Sequence, residues 1–438
     1  MSKALLLFIL TIFAFSLMLI ENNLVIYVLA KQNEDNIGKQ PIIKDTNLRI
    51  ELVSRLKAPT SIAFLDNKDI LVLELYNGTV RRIVNDTLQY EPLLDVNVAR
   101  VIGERGMLGI TTSKSIHGST YVFLYYTESE SDNGEPIGNR LYRYELVNNK
   151  LVNPKLLLDL PVEPGPYHNG GSMAISRDNN IYLTIGDLDN VDDKQDPNTK
   201  AQNLREGDEP NGSGGILRVT QSGRVVGDGI IGNTYPLNLY YAYGIRNSFG
   251  IDFDPLTGNL WDTENGPNFG DEINLVKPGF NSGWLKVQGI WQKQYGKHYG
   301  DIGAVAPNPP HDLVDFNGEG KYSSPEFTWK NRTGPTALKF LDSSKLGKDY
   351  ENDLLVGNMH NGSIYHFELN KERNGLLLNG LLQDRIADDN KELQEKIFAQ
   401  GFDGGITDID VGPDGYLYVV SGIWSNDGKI YRIIPKGN

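Results

Sequence analysis

Cysteine is absent from this 438-residue chain. That excludes disulfides, thiolate metal sites, a cysteine nucleophile and a lipid-modified cysteine anchor. Basic residues are also in short supply, with 42 Lys and Arg against 56 Asp and Glu and a net charge of −14. No stretch supplies the basic face that a nucleic-acid partner requires, so none is expected. After residue 47 long amphipathic helices are scarce, and only Lys391–Ala399 (KELQEKIFA) reads as a short one. The nucleophile-elbow pattern G-x-S-x-G is missing. Gly212–Gly215 (GSGG) is followed by a strand-like ILRV and no Lys-Ser/Thr, so it is not a phosphate cradle. What remains is a chain with 39% hydrophobic residues and 47 Gly, enough apolar matter for a large core and many turns.

The first thirty residues stand apart. Met1-Ser2-Lys3 is a short positive start, followed by the uncharged run Ala4–Ile20 and, after Glu21-Asn22-Asn23, by the apolar Leu24–Ala30. Val28-Leu29-Ala30 offers a small-residue cleavage site. The pattern predicts a signal peptide or N-terminal membrane anchor over 1–30, a polar linker over 31–46 and an exported domain over 47–438. The expected location is extracellular or at the cell surface, with membrane contact only through the N-terminal segment. Five N-x-S/T sequons (Asn77, Asn85, Asn211, Asn331, Asn361) fit an exported surface.

The domain repeats one theme: an alternating apolar strand, a turn of Asp, Asn or Gly, and a second apolar strand. It appears at Ser61–Ile83, Ser172–Asp187, Gly250–Glu264, Ala337–Leu369 and Asp408–Ile433, with a weaker copy around Gly106–Ile110 and Tyr121–Thr127. Asp-Gly and Asn-Gly pairs supply the positive φ angles that tight hairpins need. Six such units predict an all-β fold, a six-bladed β-propeller with four-stranded antiparallel blades, preceded by the N-terminal apolar segment. The surplus length falls in loops near 187–214, 285–325 and 370–400, where such folds carry function.

Three stretches could hold chemistry. His168 stands in Pro164–Met173 (PGPYHNGGSM) at a strand entry, and an imidazole there suits either a general base or a turn cap. Tyr241–Trp284 is the densest: Arg246-Asn247 present a cation and an amide, and Thr263–Asn274 (TENGPNFGDEIN) sets Glu264, Asp271 and Glu272 around Gly266-Pro267. Carbonyls freed by such a turn, with a carboxylate nearby, are oxygen ligands of the kind Ca²⁺ takes; a solvated acidic loop is the alternative. The aspartates of 186–198 lack the Gly and terminal Glu of an EF-hand loop, which leaves a weakly specified Ca²⁺ site or, in preference, a solvated loop.

HNGGSMAIS, NIYLTIGD, YGIRN, ENGPNFGDEIN…GFNSGW and VGPDGYLYVVS, in that order, resemble the soluble quinoprotein glucose and aldose-sugar dehydrogenases over about residues 50–433. That resemblance implies a six-bladed propeller using pyrroloquinoline quinone (PQQ) and Ca²⁺. It implies an aldose substrate, oxidised at C1 to the lactone, and an external electron acceptor. His168 would take the C1 hydroxyl proton while hydride passes to the quinone C5. Arg246 and Asn247 would contact the quinone, with Glu104 at a position where the family commonly has Gln. The carbonyls of Gly266 and Pro267 would hold the Ca²⁺ beside the cofactor. Glu272 and the Ser282 carbonyl would fall on a structural Ca²⁺ site.

Several positions depart from the pattern. His360 falls where the family has a Lys, Gly405 and Thr407 where it has two Arg, and Tyr167 where the glucose enzyme has Asp. Arg105, Lys330 and Arg332 are the candidates for making up the lost charge. Beside an exported sugar dehydrogenase, the residues leave open a catalytically silent surface propeller binding glycans or protein, and a Ca²⁺-dependent lactonase or other hydrolase. His360 next to Asn361-Gly362 also reads simply as the start of a hairpin turn.

Overall fold

The computed structural model describes residues 40–99, 103–115, 118–189, 199–294 and 301–437. The expected leader and most of the linker, like residues 190–198 of the aspartate-rich loop, lie outside the described residues. Two compact units divide the chain, 1–41 and 42–438. The second therefore begins at Ile42 rather than at residue 47, because Ile42–Ile43 pairs with Gln400 and Ala399 at the edge of a sheet.

The described residues form no α-helix. Lys391–Ala399 is the clearest departure from expectation: it holds a short 3₁₀ turn at Gln394–Lys396 and then enters the strand Ile397–Gln400. Pairing with Ile364–Phe367 fixes that strand, so tertiary hydrogen bonding overrides the local helical pattern.

Six larger sheets follow one another in sequence. Each starts with a strand of the repeat: Pro59–Asp66, Met107–Lys114, Met173–Ile175, Ser248–Phe253, Pro335–Phe340 and Ile406–Val411. Successive strands pair antiparallel with their sequence neighbours, as in Asp69–Glu74 between Pro59–Asp66 and Thr79–Val84. Some outer edges add short parallel strands, such as Phe280–Asn281 beside Tyr240–Tyr243. A seventh, three-stranded sheet (Val287–Gln288, Trp291–Gln294, Asp301–Val305) occupies the second long loop. Asn-rich turns tighten the hairpins: Asn148 and Asn149 have φ of 49° and 62°, the double left-handed geometry that matches strand twist.

Strand periodicity explains how the sheets join. Leu71 and Leu73 pack towards Val122 and Leu124 of the second sheet, while Ile70 and Val72 pack towards Tyr418 and Val420 of the last. The same division recurs: Ile181 and Leu183 meet Phe123 and Tyr125, and Tyr182 meets Ile251 and Leu260. Trp261, Phe327 and Trp329 fill the next interface with Phe340 and Tyr365, and Leu355 and Ile364 meet Ile406 and Leu417. Each sheet is thus buried on both faces and the interfaces run in a cycle. The final sheet takes its outer strand, Leu48–Leu56, from the beginning of the domain, paired with Gly428–Pro435. First strands of adjacent sheets contact one another, the last against the first, around a common axis.

Candidate active site

The first strands of the six sheets converge on a cavity of about 260 Å³, reached by Ser61, Leu108, Ser172, Phe249, Thr336 and Thr407 from successive sheets. His168 belongs to its wall and is buried. It sits at φ 61°, a left-handed conformation unusual for a residue with a side chain, just before Gly170 and Gly171. That bend is held by its neighbours: His168 N donates to Glu104 Oε2 at 2.8 Å, and its carbonyl accepts Gly186 N at 3.0 Å. Gly186 is required at this crossing, since a Cβ there would lie 2.5 Å from the Arg246 carbonyl and 2.6 Å from that of His168.

Asp187 completes the arrangement. Its Oδ1 stands 2.6 Å from His168 Nδ1, and its Oδ2 accepts Trp284 Nε1 at 2.7 Å. Burial pushes the Asp187 carboxyl up, but His168, Arg246 and the Trp284 N–H outweigh it and hold it below the usual range. An ionised carboxylate on Nδ1 keeps the proton of the neutral imidazole there, which leaves Nε2 as the acceptor. A base oriented by a buried carboxylate can take a proton from a hydroxyl group placed in the cavity.

Arg246 and Asn247 also line the cavity. Arg246 Nη1 donates to the carbonyls of Asn265 at 2.9 Å and Gly266 at 3.0 Å, and Nη2 lies 3.9 Å from Asp189. The Oδ1 of Asn247 is buried without a hydrogen-bond partner among the described residues. Gly266 and Pro267 form part of the wall, their turn held by Gly266 N donating to Asp271 Oδ1 at 2.8 Å. Thr333 N and Gly334 N converge on Asp271 Oδ2 at 2.6 and 2.8 Å.

Behind this turn lies a ladder of buried acids. Glu264 and Glu272 face each other across two strands and both accept from Ser282 Oγ, at 2.6 and 3.1 Å. Glu272 Oε1 also accepts Gln288 Nε2 at 2.9 Å. Asp262 pairs with Asn274 in register and is eased by the Asn274 and Ser248 side chains close by, yet among the described residues neither of its oxygens meets good hydrogen-bond geometry. Burial drives these groups up, Asp262 to about 7 and Glu264 to about 8, with Glu272 well above its ordinary value. Among the described residues no group of three or more His, Asp or Glu side chains is spaced to hold a metal. Glu272 and Ser282 are thus adjacent, and a cation near the cavity would draw on the backbone carbonyls of Gly266 and Pro267.

The remaining expected residues divide. Glu104 and His360 line the cavity. His360 starts the turn after Leu354–Asn358, its N donating to Asn358 Oδ1 at 2.7 Å, so it serves as a turn residue and as wall together. Burial and the nearby Arg332 lower its pKa, which makes it a poor stand-in for a permanent cation. Of the three candidate replacements only Arg332 reaches the cavity. Arg105 donates to the Val162 carbonyl and pairs with Glu163, and Lys330 pairs with Asp388 on the surface. Gly405 cannot simply carry a longer side chain: its φ is 78° and a Cβ would stand 2.1 Å from the Met359 carbonyl. Sequence reasoning gave no role to Trp284 or Asp408, and weighed Asp187 and Asp189 only as part of the weakly specified Ca²⁺ loop. Asp187 and Trp284 ended the motifs NIYLTIGD and GFNSGW, the only signal available for them.

A profile of the Glucose / Sorbosone dehydrogenase family matches residues 56–432. The chain belongs to that family. Among its relatives is the aldose sugar dehydrogenase of Escherichia coli, 23% identical over 389 residues, covering 88% of this chain and 92% of the relative. Quinoprotein glucose dehydrogenase B of Acinetobacter calcoaceticus is 26% identical over 354 residues, covering 75% of this chain and 70% of the relative. The PQQ-bound aldose sugar dehydrogenase of Streptomyces coelicolor shares the fold, with a TM-score of 0.61 at 19% identity over 90% of this chain and 99% of that one. Membership in the glucose/sorbosone dehydrogenase family agrees with the resemblance carried by the five motifs.

Proposed function

We propose that this protein is an exported oxidoreductase that oxidises the C1 hydroxyl of aldose sugars to the lactone on a six-bladed propeller. The observation that carries the proposal is the His168–Asp187 pair, 2.6 Å apart, at the wall of the axial cavity. His168 Nε2 takes the C1 hydroxyl proton, and Asp187 steadies the imidazolium that results. The unpartnered Asn247 Oδ1 accepts from a sugar or cofactor donor. PQQ is the proposed cofactor, with Ca²⁺ on the Gly266 and Pro267 carbonyls. When bound, the pair supplies a two-electron acceptor ring and a Lewis acid.

What supports the ring-and-metal half of that cofactor is that Arg246, Asn247 with its orphaned oxygen, Gly266 and Pro267 line one cavity, although the Gly266 carbonyl already accepts Arg246 Nη1 at 3.0 Å. They serve its carboxylates poorly, since among the described residues Glu104, Asp189 and Asp408 share the wall with only Arg246 and Arg332 as permanent cations. Sugar hydroxyls and an external electron acceptor approach through the same mouth. The shortage of cations also favours a second reading, a lactonase in which His168 acts without any electron acceptor.

Calorimetric titration of PQQ into the protein with Ca²⁺, followed by sugar-dependent dye bleaching, tests the proposal. Micromolar binding and bleaching that His168→Ala loses support it. No heat and no bleaching across common aldoses overturn it, and lactone turnover without an acceptor would establish the second reading.

A further inference from the structure

Trp284 touches the charged groups of the site from behind. Its indole Nε1–H donates to Asp187 Oδ2 at 2.7 Å, Lys293 Nζ lies 4.5 Å from the centre of its ring, and Arg246 Cζ lies 5.5 Å from it. The residue is buried and pinned by its own backbone: N donates to the Gly244 carbonyl at 2.9 Å, and its carbonyl accepts Asn203 Nδ2 at 2.7 Å. Lys293 is buried beside it. Asp187 is gripped on both sides, with one oxygen on the base and the other on the indole.

We infer that Trp284 is a positioning residue that sets the proton affinity of the His168–Asp187 pair, with Lys293 over its ring strengthening the indole as a donor. The inference rests on the reading of His168 as the base. A donor on Oδ2 spreads the carboxylate charge, so less of it is directed at the imidazole N–H, and the pair holds its extra proton less tightly. A cation over the ring draws electron density from the indole and makes its N–H the better donor. The other charged groups facing the pair are Arg246, through its contact with Asp187, and Glu104, which accepts the His168 backbone N–H. Asp189 lies beyond Arg246.

The test is a titration of His168 by long-range proton–nitrogen NMR on the full chain, with the signal assigned by its loss in His168→Gln. Trp284→Phe keeps the ring and removes the N–H; its midpoint is expected to rise by about one pH unit, the size of one charge-assisted hydrogen bond. Lys293→Met, which leaves the indole in place, is expected to give a smaller rise of the same sign. An unchanged or lowered midpoint in folded Trp284→Phe overturns the inference; if that variant fails to fold, Lys293→Met decides by the same criterion. The readout needs neither sugar nor cofactor, so a protein that oxidises no aldose can still confirm or refute the role of Trp284. In an active enzyme the acid limb of kcat/KM follows the NMR midpoint while KM stays unchanged.

Discussion

The half of the cavity that holds His168 and the half that would meet an anionic cofactor treat charge in opposite ways. Around His168 each buried charge has an answer: Asp187 has the imidazole, the indole N–H and Arg246. Where Gly405 and Thr407 stand, neither contributes a cation and Asp408 adds an acid to the wall. On the proposed reading, a proton-transfer pair can stand on a scaffold whose cofactor-facing wall is poor in cations, because His168 and Asp187 flank strands of one sheet while Gly405 and Thr407 belong to another.

The largest test of that contrast is His168→Ala, expected to lower sugar-dependent dye reduction about 10³-fold, measured below the variant's melting temperature because the buried Asp187 loses its partner and the variant is expected to be less stable. Equal activity in the variant would move the base elsewhere. Next comes Asp262, whose carboxyl, fully buried, is pushed up to about 7 in the folded protein. The folded state binds that proton more tightly than the unfolded chain, so its contribution is full below about pH 4 and is lost as pH rises through about 7. In chelator-treated protein, Asp262→Asn should therefore be the more stable form at pH 8, by about 2–3 kcal/mol in a urea titration, and little different at pH 4. A constant difference across that range would mean that Asp262 is compensated after all.

The cation shortage itself is probed by Thr407→Arg against Gly405→Arg. Thr407→Arg should tighten PQQ by roughly 10- to 100-fold, one charge-assisted contact. Gly405→Arg should lower the melting temperature instead, because its backbone and the Met359 carbonyl leave no room. The smallest effect belongs to Lys330→Ala: its exposed pair with Asp388 predicts a change within about 0.5 kcal/mol and no change in PQQ binding.

Much of the fold was legible because strand burial on both faces leaves a strong imprint. The six repeats at Ser61, Gly106, Ser172, Gly250, Ala337 and Asp408 each fall within or at the edge of the first strand of a sheet. Lys391–Ala399 misled because helical spacing in a short segment is easily overridden by pairing with a neighbouring strand. At the site, His168, Glu104, Arg246, Asn247, Gly266, Pro267 and His360 do share one cavity. Asp187 and Trp284 were not assigned, since they meet at the ends of two strands of one sheet that lie far apart in sequence, and that separation carries no periodic signal. Nor could sequence sort the replacement cations: Arg105 and Arg332 look alike until one is seen bound to Val162 and the other facing the cavity.

The pairing of Leu48–Leu56 with Gly428–Pro435 has a consequence for how the protein is made. Sheets can form in the order in which they occur along the chain, yet Gly428–Pro435 is made after every other described strand. Until then Leu48–Leu56 lacks its partner, and the sheet row has two free ends rather than none. Synthesis thus passes through an open ribbon able to pair with a second nascent chain. A stop codon shortly before Gly428 would make that transient state permanent, yielding aggregates rather than a slightly weakened monomer.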